Sequence, residues 1–167
     1  MTIRYKIRQK LMSIGDDFWI EDGDGKRVFK IDGKALRLRK TLIFEDMAGN
    51  KLAKIQERLL AIKDTMAVED AEGNQMAVIK KGLIAPLGDH WTVRVRNGPD
   101  LDVQGNILDL EYSIMHRRKK IAEVSKKWLS MTDTYGVEID DGQNDVLILA
   151  VAIAIDMMAH DDDKKRK

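Results

Sequence analysis

A chain of 167 residues, 44% of them hydrophobic, suits one domain and is long enough to enclose a sizeable core. Its 29 basic residues stand against 28 acidic ones, a formal net charge of +1, which excludes a global polyelectrolyte signature for nucleic acid or membrane and makes any charged surface local. There is no cysteine, so disulfides, thiolate zinc sites and a cysteine nucleophile are excluded, and a reducing compartment fits.

The N-terminus, Thr2-Ile3-Arg4-Tyr5-Lys6-Ile7-Arg8, alternates apolar and polar residues where a secretory signal would be continuously apolar; it reads as the first strand of a cytoplasmic protein. Next come Phe18-Trp19-Ile20-Glu21-Asp22, a turn at Gly23-Asp24-Gly25, and Lys26-Arg27-Val28-Phe29-Lys30-Ile31, which together predict a β-hairpin. The pattern returns around Met47-Ala48-Gly49-Asn50 and around Ala71-Glu72-Gly73-Asn74. Glu21, Glu45 and Glu69, then Gly25, Gly49 and Gly73, then Ile31, Ile55 and Ile79 share a spacing of 24 residues, so each copy is one hairpin with its connection. Between the first two copies, Lys34-Ala35-Leu36-Arg37-Leu38-Arg39-Lys40 alternates as a basic strand, with Leu36 and Leu38 toward the core and Arg37 and Arg39 outward.

Further along, Trp91-Thr92-Val93-Arg94-Val95-Arg96 alternates, Asn97-Gly98-Pro99-Asp100 turns, and Leu101-Asp102-Val103 and Ile107-Leu108 continue the strands. A degenerate fourth copy runs from Asp109 through a turn at His116-Arg117-Arg118-Lys119 to Val124, and Asp133 to Ile139 forms the last strand. The run from Val146 to Met158 is apolar on every side except at Asp156. A membrane span needs about 20 apolar residues, and acidic residues bound this run at both ends. Its β-branched residues alternating with Ala150, Ala152 and Ala154 would suit a buried strand, but its length favours a helix, capped by Asn144 or Asp145 and enclosed by all that precedes it.

About a dozen strands with an apolar inner face must cover that face, and a wholly apolar helix supplies the cover. The expected fold is mainly β, a closed antiparallel barrel threaded by its C-terminal helix. One domain over 1–160, with the helix over about 144–159, would precede a charged, disordered tail over 161–167.

The Asp-x-x-Gly-type turns, the basic strand at Lys34 to Lys40 and, most distinctively, the terminal Asp141-Gly142-Gln143-Asn144-Asp145-Val146 and its apolar continuation to Asp156 resemble the LURP-one-related family. That family belongs to the tubby C-terminal-domain-like superfamily, together with the phospholipid scramblases. The resemblance covers about Thr2 to His160, the terminal helix being specific and the hairpins generic. It implies a 12-stranded barrel around a buried hydrophobic helix, and the compact length resembles prokaryotic members. Tubby proteins bind phosphoinositide headgroups on the outer barrel surface and scramblases act at membranes, whereas LURP-one-related proteins are known through a plant defence phenotype. No tubby lipid-binding residue has a positional match here, so none is carried over.

Two basic clusters are the candidate anion-binding residues. Arg37 and Arg39, flanked by Lys34 and Lys40, could grip a phosphate with charge-assisted bonds, or simply pair with Glu45 or Glu57. Arg117, Arg118, Lys119 and Lys120 at a hairpin tip could touch an anionic membrane, or form an ordinary solvated turn. Asp22-Gly23-Asp24-Gly25 lacks the downstream ligands of a calcium loop and reads as a turn. Asp156 must sit near a barrel mouth or be paired, as a structural acid more readily than a catalytic one. His90, His116 and His160 show no metal-ligand spacing, and neither a nucleophile elbow nor a phosphate-cradling glycine loop occurs.

The expected function is non-enzymatic, without a cofactor: a domain binding anionic phospholipid headgroups or a phosphorylated ligand, cytoplasmic or peripheral to the membrane, with no transmembrane span and no nucleic-acid partner. The alternatives are a scaffolding domain with a protein partner and, last, an enzyme with a small pocket beside Asp156.

Overall fold

In a computed structural model, which describes residues 2–8, 17–33, 41–57, 65–82, 84–85, 88–129 and 134–165, the alternating segments become thirteen strands and the apolar run one helix. The first seven strands are β1 (Thr2–Arg8), β2 (Phe18–Asp22), β3 (Arg27–Asp32), β4 (Thr41–Asp46), β5 (Lys51–Glu57), β6 (Thr65–Asp70) and β7 (Gln75–Lys80). There follow β8 (Ile84–Ala85), β9 (Gly88–Val95), β10 (Leu101–Asn106), β11 (Glu111–His116), β12 (Lys119–Ser125), β13 (Thr134–Asp140) and α1 (Asp145–Lys165). Every pairing is antiparallel. Two-residue β8 merely adds to β9, while β7 pairs with β9, β9 with β10, and β1 with β13 from Thr2 opposite Asp140 to Arg8 opposite Thr134. A barrel of 12 strands is thereby closed, which removes the exposed edges an open sheet would carry.

The 24-residue repeat is one turn built three times. Oδ1 of Asp22, Asp46 and Asp70 accepts backbone N–H bonds from the residues two and four further on, at 2.8–3.0 Å. Gly25, Gly49 and Gly73 hold φ of 82°, 87° and 86°, the left-handed region that an L side chain disfavours. A bulge precedes each turn, between Ile20 and Glu21, Phe44 and Glu45, and Val68 and Glu69. The hydrogen bonds hold two of these carboxyls below their ordinary range, Asp46 chiefly through the Asn50 side chain and Asp70 chiefly through the Asn74 backbone. With its carboxylate committed to its own backbone, the Asp22 loop is a turn.

One expectation is corrected here. Ile107 and Leu108 do not continue a strand; they lie in the turn joining β10 to β11. Asn106 and Asp109 close this turn by hydrogen bonds, and Ile107 and Leu110 fold into the core while Leu108 stays exposed. An apolar pair in sequence there marks a buried turn.

From Leu147 to Ala159 every residue of α1 is buried, which an all-round apolar helix requires. Asn144 caps it, accepting the Leu147 N–H on Oδ1 at 3.1 Å. The helix, expected over about 144–159, runs to Lys165. Asp145 in its first turn accepts the Tyr5 hydroxyl and so ties the helix to β1. Because all strands alternate in direction, the turns following β2, β4, β6, β9, β11 and β13 gather at the end where α1 enters, and the connections after β1, β3, β5 and β12 at the other.

Candidate functional site

The β11–β12 hairpin presents the described basic cluster. His116 faces Lys119 and Met115 faces Lys120 across the ladder, so Arg117 and Arg118 alone make the turn. All four basic residues are exposed. Arg117 has φ of 50°, where glycine or asparagine would sit without strain. Lys120 pairs with Glu123, which raises its pKa through that hydrogen bond and charge. Arg117, Arg118 and Lys119 have no acidic partner among the described residues. The other predicted cluster, Lys34, Arg37, Arg39 and Lys40, lies outside the described residues; its described neighbours Asp32 and Thr41 are at the barrel end away from this hairpin.

A second surface has no motif to announce it. On the outside of β13, β1 and β2 a cleft of about 440 Å3 is lined by Arg4, Lys6, Trp19, Glu21, Trp128 and Gly136, among others. The Arg4 guanidinium lies 5.0 Å from the Trp128 ring centre and its Nε is bonded to Glu138. That of Arg27 lies 4.2 Å from Trp19. Alternation along β1 does point Arg4 and Lys6 outward, but Trp128 follows β12 in a turn, and nothing local in the sequence says where such a residue folds back.

Asp156 lies in the barrel interior, 2% exposed, beside Tyr112 and Tyr135. Burial first, and the Asp156 charge second, push both phenols far above their ordinary range. His90 sits on the exterior of β9 with Asp102 at 3.3 Å. Among the described residues no group of three or more His, Cys, Asp or Glu is placed to hold a metal, and no helix is long and apolar enough to cross a membrane.

No curated protein matches the chain. The X-ray structure of a protein from Arabidopsis thaliana is similar in fold, with a TM-score of 0.65 at 16% identity, over 93% of this chain and 89% of that one. The family model for LURP-one-related proteins matches residues 3–156, from the first strand of the barrel to the acid buried in its helix. A match that runs through every strand of the closed barrel and into its plug means that this chain belongs to the LURP-one-related family.

Proposed function

We propose that this LURP-one-related domain is a non-enzymatic, peripheral binding module that docks on anionic phospholipid headgroups. One observation carries the reading: the β11–β12 turn keeps Arg117 in a left-handed conformation where glycine would cost less, and with Arg118 and Lys119 it offers three exposed cations without acidic partners among the described residues. Strain retained at an exposed basic tip is better accounted for by what the tip touches than by stability. Each such charge contributes about 1 kcal/mol near an anionic surface, so three together shift partition by about two orders of magnitude.

The test is co-sedimentation with phosphatidylcholine vesicles and with vesicles containing phosphatidylserine, at low and high salt. Salt-sensitive binding confined to the anionic vesicles is expected, and a variant combining Arg117→Gly, Arg118→Gln and Lys119→Gln should lose it while staying folded. Equal binding by that variant, or none by the parent chain, sinks the reading and moves weight to a protein partner.

A further inference from the structure

The cleft beside Trp128 shares no lining residue with the basic hairpin and is constructed with more care than a surface crease. Its Trp128 wall is fixed from below and behind. A Cβ at position 136 would lie 2.7 Å from Cε3 of Trp128, so only glycine on β13 lets the indole seat there. The turn that presents Trp128 is pinned by Glu111, whose two carboxylate oxygens accept from the Ser125 hydroxyl at 2.7 Å and the Lys126 N–H at 3.0 Å. Ser125 Oγ in turn accepts the Lys127 N–H at 3.1 Å. A half-buried indole held this firmly at the edge of a concavity, with the Arg4 guanidinium 5.0 Å from its ring centre, offers a rigid aromatic wall at little entropic cost.

The charges are equally specific. Lys6 is half-buried in the cleft and has no acid within ion-pair distance among the described residues, although Glu21 stands opposite it on β2. Glu138 takes only the Nε–H of Arg4, and a guanidinium carries four further N–H donors. An ammonium without an acidic partner among the described residues and a guanidinium with spare donors favour an anion between them. The volume falls in the range of small-molecule sites.

We propose that this cleft is a small-molecule site for a flat aromatic ring carrying a phosphate or similar anionic group, the ring packing against the Trp128 wall beside Arg4 and the anion held by Lys6 and Arg4. It is a site separate from the membrane-docking hairpin and does not depend on it.

Isothermal titration calorimetry of the full chain with adenosine monophosphate and 1-naphthyl phosphate tests it, against adenosine (ring without anion) and inorganic phosphate (anion without ring). At least one aromatic phosphate should bind, with its charge-free or ring-free counterpart at least tenfold weaker. Trp128→Ala should weaken that binding at least tenfold, and so should Lys6→Gln, which removes no packed ring and decides the matter if Trp128→Ala fails to fold. Silence from both aromatic phosphates at millimolar concentration, or undiminished binding by the Lys6→Gln chain, overturns the proposal. The hairpin triple variant should bind the aromatic phosphate normally, so loss of vesicle binding and loss of cleft binding are read separately.

Discussion

All three tyrosines of the chain hold their phenolic protons above the ordinary range. Tyr5 does so through burial, then its hydrogen bond to Asp145 and the charge of that carboxylate; Tyr112 and Tyr135 do so through burial and then Asp156. An unfolded phenol ionises near pH 10, whereas the folded chain keeps its protons, so above that pH the unfolded state binds fewer. Stability is therefore unaffected by these groups below about pH 10 and falls as pH rises beyond it. An alkaline titration should show tyrosinate absorbance appearing in one step, together with loss of near-ultraviolet circular dichroism. A tyrosine that ionises near its free value while the fold persists would contradict the buried placement. Gly136→Ala belongs to the same scale: the added methyl meets Trp128 and should cost about 1–3 kcal/mol in urea unfolding. Unchanged stability would mean that Trp128 does not rest there. Neither Trp128 nor the unpaired setting of Lys6 was legible in the sequence: the first depends on a turn folding back over β13, the second on which strands flank β1.

At the scale of elements, legibility follows locality. The three Asp-turn-Gly hairpins were readable because Asp46, for example, bonds to residues only two and four positions ahead, a distance over which sequence fixes geometry. The helix was readable from a run apolar everywhere but at Asp156, and its cap as Asn144 or Asp145, of which Asn144 takes the role. Ile107 was misread because apolar character says that a residue is buried and not that it is in a strand. Two outcomes are expected of α1. Asn144→Ala should lose the bond to the Leu147 N–H and cost about 1 kcal/mol in denaturant unfolding. Ala152→Lys, at a position with 0% exposure, should leave no folded protein, since an unpaired buried charge is among the costliest changes. A cooperative, equally stable Ala152→Lys chain would mean that the helix is not enclosed.

For the whole molecule, closure matters more than any single strand. The seven-position ladder between β1 and β13 joins Thr2 to Asp140, and β9 to β10 completes the ring; neither partner choice was written in local pattern, which said only that a dozen strands must hide one face. What made a barrel the economical solution was the helix, because twelve strands closing on empty space would leave Ile7, Ile31, Ile55, Ile79 and Ile139, all fully buried, facing a void. The plug and the wall therefore need each other. Ending the chain after Asn144 removes the buried face of α1 and exposes the inner face of every strand, so this shortened form should show no cooperative unfolding transition and should bind a hydrophobic dye. Should the truncated chain instead unfold cooperatively with native-like near-ultraviolet dichroism, the barrel wall would be self-sufficient and the helix an occupant that it tolerates.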